Sequence, residues 1–228
     1  MDTLTLALIL IPSLIVAIVF HEVAHGWAAL SLGDPTAKEQ NRLSLNPIRH
    51  VDPVGTLLVP GGLALAGLPV FGWAKPVPVR KDRLDNPRFG MMAVAAAGPG
   101  TNFLLALIAA IALGLFAHNL GATEGQEPGL VATALFYFIS INIFLGLFNL
   151  LPIPPFDGSH MVEGLLPAAA ARTYERLRPF GFPLLFVLLL VVPYVFPDAD
   201  IIERVVLPPV EWAMGFFLSI ADAFAGGS

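Results

Sequence analysis

Cysteine is absent from this 228-residue chain. That absence excludes disulfides, iron–sulfur clusters and thiolate metal sites, and it leaves any metal to His, Asp and Glu. Charge is scarce: Asp, Glu, Lys and Arg make up 13% of residues, where soluble domains hold about a quarter. The net charge is −5, and no basic cluster has the aromatic interleaving of a nucleic-acid reader, so nucleic acid is not an expected partner. No internal repeat and no low-complexity linker occur. The first apolar run, which starts at Leu4, lacks a basic leader: Met1 and Asp2 precede it. It continues past Ala29, too long for the core of a secretion signal, and is read as a retained membrane helix.

What is present is apolar. Hydrophobic residues make up 56% of the chain and the mean hydropathy is +0.77, more than a water-facing globule of this size can bury. The expected fold is an all-α polytopic membrane protein with four to six transmembrane helices, in contact with the lipid bilayer. Strong apolar segments cover about 4–32, 89–117, 130–151 and 180–196. A fifth, about 205–220, contains Pro208, Pro209 and Glu211 and either spans the bilayer or lies at its surface. Between the first and second segments, 51–73 is apolar but interrupted by Pro53, Gly55, Pro60, Gly61, Gly62, Gly67, Pro69 and Gly72. So many breakers disfavour a straight helix, and the stretch is expected to be a re-entrant or strand-like segment covered by protein.

Basic residues orient the segments. Lys38, Arg42 and Arg49 follow the first. Lys75, Arg80, Lys81, Arg83 and Arg88 precede the second, and Arg172, Arg176 and Arg178 follow the third. The loop 119–129 has none, only Glu124 and Glu127. The positive-inside rule therefore runs the first helix out-to-in, the second in-to-out, the third out-to-in and the fourth in-to-out.

Within the first helix, His21, Glu22 and His25 are the ionisable residues of IVFHEVAHGWAA. Two histidines four apart share a helix face and can close on one zinc ion, and a glutamate between them is placed to take a proton from an activated water. An ionisable group in a spanning helix costs several kcal/mol and marks function. Neutral histidines that only bond neighbouring helices would not account for Glu22. A catalytic zinc needs a third protein ligand. Asp157, His160, Glu163, His50 and His118 are the candidates, and topology sets His118 aside at the outer end of the second helix. Asp157 is favoured: it follows the third helix in NLLPIPPFDGSH, on the side where the first helix ends. The proline-rich turn and Gly158 are expected to hold it off regular helix, although a turn or capping role also suits it.

HEVAHGWAA and NLLPIPPFDG together resemble the site-2 protease family of intramembrane zinc metalloproteases. LNPIRHVDPVGT and AAAGPGTNF resemble stretches of its small bacterial and archaeal members, so the resemblance runs over roughly 20–160. It implies Zn2+ as cofactor, His21, His25 and Asp157 as its ligands and Glu22 as the catalytic base. It also implies that Asn149 and Pro152 bind an unwound substrate segment, and that the substrate is a transmembrane protein. The expected organisation is one integral-membrane domain over 1–228, with a catalytic core of about 4–160, further helices over 161–222 and no PDZ or CBS domain. The expected setting is a prokaryotic inner membrane with the active site toward the cytoplasm. Oligomeric state is left open. Two other functions fit HEVAH alone: a membrane zinc peptidase for soluble or lipidated peptides, and a non-catalytic metal-binding scaffold.

Weaker signals surround these. Gly98–Asn102, GPGTN, suits close helix packing with an interhelical hydrogen bond from Asn102. His50 and Asp52 are expected to order their loop, His160 to be polar surroundings of Asp157, and Trp27, Trp73 and Trp212 to anchor at interfaces.

Overall fold

A computed structural model of the chain describes residues 1–67, 72–117, 129–196 and 202–226. His118 and the acidic loop with Glu124 and Glu127 lie outside the described residues. Ten α-helices occur among those described: α1 Thr3–Ser31, α2 Thr36–Glu39, α3 Val59–Leu65, α4 Pro87–Leu115, α5 Leu130–Asn149, α6 Asp157–Leu165, α7 Ala168–Glu175, α8 Gly181–Phe186, α9 Val192–Val195 and α10 Leu207–Phe224. No β-strand is found among the described residues, and the chain is an all-α, multi-pass integral membrane protein.

Among the described residues, four helices are long and apolar enough to cross a bilayer: Thr3–Ser31, Pro87–Leu115, Leu130–Asn149 and Glu203–Phe224. The last is the segment that the sequence left between spanning and surface. Residues 180–196 are helical as well, running without a gap through α8, a π-helical stretch Val187–Val191 and α9. The described run, 181–195, is shorter than the four helices above.

The Pro/Gly-rich stretch is helical where a strand-like loop is one expectation. Asp52 Oδ1 accepts from the amides of Val54 and Gly55 at 2.9 and 2.7 Å and starts a π-helical turn Pro53–Leu58, which leads into α3. The breakers sit where helices tolerate them: Pro53 and Pro60 occupy first-turn positions, whose amides have no helical acceptor. A stretch without regular structure comes later, over 72–80. Its Trp73 amide donates to the Gly55 carbonyl at 3.0 Å and its Lys75 amide to the His50 carbonyl at 2.9 Å. Trp73 packs on Phe182, ring centroids 5.1 Å apart, and against Gly55, where a Cβ would meet its indole at 2.3 Å. It is a packing residue of this segment.

The chain divides into two compact units, and α1 and α4 each pass from one to the other. One comprises Met1–Ile18, Pro99–Phe148 and Ile202–Ser228. Its core joins Ala106, Ala109 and Ala110 of α4, Ile139 and Ile143 of α5, and Ala213, Phe217 and Ala221 of α10. Alanines at these contacts let helix backbones approach, which matters in lipid, where packing drives helix association. A polar brace runs through the same unit. Asn102 Nδ2 donates to Asn142 Oδ1 at 2.9 Å and to the Ala17 carbonyl at 3.3 Å, and both asparagines are fully buried. The interhelical bond expected from Asn102 is present.

The other unit comprises Val19–Gly98 and Asn149–Ile201 and holds every residue of the HEVAH and FDG motifs. After α1 the chain turns at Gly33, φ +99°, a backbone conformation suited to glycine. Buried Asp34 then accepts from the Thr36 amide at 3.0 Å and the Arg80 amide at 2.6 Å, which ties the end of α1 to the 72–80 segment. Burial opposes ionisation of Asp34, and the donors from Thr36 and Arg80 outweigh it, so its pKa lies below the ordinary carboxylate range.

Candidate metal centre

The α1 backbone places His21 and His25 one turn apart, with ring centroids 4.7 Å apart and ring planes at 87°. Both are buried. His25 Nδ1 lies 2.7 Å from the Val94 carbonyl of α4. A carbonyl only accepts, so Nδ1 carries the proton and Nε2 keeps its lone pair, the tautomer a metal ligand needs.

Asp157 is the first residue of α6, not an irregular turn residue as the sequence had led us to expect. The segment Leu151–Phe156 brings α6 back toward the end of α5 through Pro152, Pro154 and Pro155. Gly158 permits the approach: a Cβ there would lie 2.2 Å from the Leu150 carbonyl oxygen and 2.5 Å from that of Leu151. The carboxylate then reaches both histidines. Asp157 Oδ2 stands 3.1 Å from His21 Nε2 and 3.3 Å from His25 Nε2, and the two Nε2 atoms are 3.1 Å apart.

These atoms fit a zinc ion. A tetrahedral centre with ligand bonds of 2.0–2.1 Å separates its donor atoms by about 3.3 Å. Asp157 Oδ2 is buried and has no hydrogen-bond donor of its own. His25 Nε2 and Asp157 Oδ2 thus meet lone pair to lone pair, a contact that a shared cation reconciles. Gly98 of α4 clears the space beside them, since a Cβ there would stand 2.4 Å from His25 Nε2 and 2.7 Å from His21 Cε1. Among the described residues, His21, His25 and Asp157 are the group of His, Asp or Glu side chains close enough to share a metal.

Such a centre calls for proteins of known chemistry to compare with. The model of peptidase family M50 matches residues 120–192, which include Asp157. A relative from Bacillus subtilis, "Putative zinc metalloprotease YwhC", is 41% identical over 189 residues, which cover 81% of this chain and 80% of the relative. The chain belongs to peptidase family M50, the site-2 protease family. It is a zinc metalloprotease. More distant members include the similarly named Rip2 of Mycolicibacterium smegmatis, 28% identical over 82% of this chain and 68% of the relative. No solved structure matches the chain.

The other candidates from the sequence do other things in this M50 peptidase. Glu163 accepts from Lys81 Nζ at 2.6 Å and from Arg178. Burial opposes its ionisation, but the Lys81 bond and the Arg178 charge hold its carboxyl below the usual range. His160 Nδ1 accepts from Arg178 Nη2 at 2.9 Å; burial and the Arg178 charge push its pKa down, so it is neutral at pH 7. Arg88 donates to the Gly164 and Leu166 carbonyls at 2.8 and 2.6 Å. Helix α6 is therefore held at its far end by three cations. His50 is buried with Nε2 2.7 Å from the Ser44 carbonyl, and it orders its own loop. Asn149 closes α5, half-buried, and the Pro152 carbonyl accepts from Tyr174 Oη at 2.5 Å.

Two contacts of the centre escaped the sequence. Gly98 packs on the histidine rings themselves, although GPG did read as a packing motif. Glu22 Oε2 accepts from the Val77 amide at 2.8 Å, across 55 positions that no local spacing links.

Proposed function

We propose that the chain is an intramembrane protease, which hydrolyses peptide bonds within or near transmembrane segments of other membrane proteins at a zinc ion held by His21, His25 and Asp157. The observation that carries this reading is the convergence of the three ligand atoms, all within 4.8 Å of one another, on a helix able to cross the bilayer. A centre rooted in a spanning helix meets membrane-embedded chain more readily than soluble peptide.

When bound, zinc supplies a Lewis acid for the scissile carbonyl and for the attacking water. Glu22 takes one proton as the water oxygen bonds to the carbonyl carbon. It delivers that proton to the amide nitrogen as the C–N bond breaks, leaving a carboxyl group and an amine and restoring its own carboxylate. Asn149 and Pro152 hold the substrate in extended form, because helical hydrogen bonds and packing shield a scissile carbonyl. The basic residues at 38–49 and 75–88 support a site that opens to the cytoplasmic face of a prokaryotic inner membrane, from which water enters.

The test uses the purified protein and its Glu22→Gln variant, with zinc measured by mass spectrometry and a panel of single-span membrane proteins as substrates. Zinc is expected in both and cleavage in the parent alone. Cleavage by Glu22→Gln at the parental rate would remove Glu22 as the base. Cleavage of soluble peptides in place of every single-span protein would overturn the substrate class.

A further inference from the structure

The 72–80 segment contains the run Lys75-Pro76-Val77-Pro78. Pro76 and Pro78 have no N–H, so Val77 carries the lone amide donor of 76–78. Each proline also bars helical backbone in the residue before it, which keeps Lys75 and Val77 extended. This stiff stretch spends its one donor on Glu22, with Val77 N to Oε2 at 2.8 Å.

The same stretch is gripped from behind. Arg42, 7% exposed, donates through Nη2 to the Lys75 carbonyl at 2.6 Å and to the Pro76 carbonyl at 3.4 Å. The Pro76 carbonyl and the Val77 N–H are the two ends of one planar peptide group. Arg42 therefore holds one end of the group whose other end meets Glu22. Burial of an unpaired guanidinium is costly, and Glu22 is the acid whose charge offsets part of that cost for Arg42. Gly26, one turn beyond Glu22 on α1, lets the segment come this close: a Cβ there would lie 2.5 Å from Leu43 Cδ2 and 3.0 Å from Val77 Cγ1.

We propose that Arg42 and the Val77 amide are a positioning device for Glu22, pinning Oε2 and leaving Oε1 as the oxygen that receives and returns the proton. This rests on Glu22 being the base. A carboxylate on a flexible side chain samples several rotamers; a single fixed amide, itself braced by a buried guanidinium, selects one and costs no reorganisation during turnover.

The first measurement needs no substrate. Hydrogen exchange over 76–78 reports Val77 alone, because the flanking prolines have no amide hydrogen. In the full-length detergent-solubilised protein, with and without zinc, this exchange is expected to be at least ~10-fold faster in Glu22→Ala and in Arg42→Met than in the parent. Arg42→Lys, with one ammonium for the same carbonyls, should fall between. The second measurement compares Val77→Pro, which lacks the donor, with Val77→Ala, which keeps it, on a single-span substrate that the parent cleaves. Val77→Pro should show kcat lower by about 10- to 100-fold, the value of a hydrogen bond to a charged group, with KM and zinc content unchanged. Unchanged exchange in Glu22→Ala, or equal kcat in the two Val77 variants, would overturn the proposal. So would loss of zinc in step with activity, which would make the segment a support of the whole centre. Parental cleavage by Glu22→Gln would instead strike the base assignment beneath it, while the exchange would still report the contact.

Discussion

A methyl group on Gly98 would stand 2.4 Å from Nε2 of His25. That nitrogen is the one whose lone pair faces Asp157, so the missing side chain of α4 defines the room in which a metal can sit.

Gly98→Ala should therefore leave the helix intact, or slightly favour it by propensity, while displacing the histidine rings. Zinc content, measured by mass spectrometry after purification, is expected to fall about tenfold or more, with helical circular dichroism unchanged. Displacing groups around a metal site costs 10- to 100-fold in affinity as a rule.

Gly158→Ala should act on Asp157, the proposed third ligand. Its Cβ would collide with the Leu150 and Leu151 carbonyl oxygens, which are backbone atoms that cannot rotate aside. The start of α6 must shift and carry Asp157 with it. Weaker zinc retention with the histidines untouched is the expected result, measured by competition with a chelator of known affinity.

Glu163 sets a pH dependence. Its folded pKa lies below the ordinary glutamate value because the Lys81 bond and the Arg178 charge outweigh burial. Its stabilising effect is then fully present above about pH 4.5 and disappears as pH falls through the lowered folded value. Thermal unfolding of the parent and Glu163→Gln should differ most at pH 6–7, with the variant lower by several degrees. The gap should close in acid. Removing one partner leaves Lys81 and Arg178 facing an uncharged group.

Asn102→Ala removes the donor to Ala17 and Asn142 in a region without metal ligands. A loss of roughly 1 kcal/mol is expected, in keeping with interhelical polar contacts in membranes, read as a lower unfolding temperature with zinc content preserved. The contrast with Gly98→Ala, four residues earlier on the same helix, separates stability from metal binding.

How far the sequence led can be judged from these residues. Long apolar runs delimit a helix by themselves, so 4–32, 89–117 and 130–151 anticipate α1, α4 and α5 to within two residues at either end. Prolines and glycines misled around Pro53 and Pro60, where they fall at helix starts and are harmless. The HEVAH spacing was legible because a helix converts four positions into one face. Asp157 could be matched to it through the charge bias of the loops, though its place at a helix start could not. Gly98, Val77 and Arg42 were out of reach because nothing local in the chain records which residue more than 30 positions away a group will meet.

The proposed ligands come from two distant parts of the chain. His21 and His25 belong to a single turn, but Asp157 joins them from about 130 residues later in the chain. An ion held by all three ties a long loop shut, and the entropy withheld from the unfolded chain by such a tie grows with the logarithm of loop length. The metal of this peptidase is thus also a clasp. Withdrawing it should loosen the segment from α6 onward before it disturbs the histidine turn, so that loss of the cofactor and loss of shape begin at the same residue.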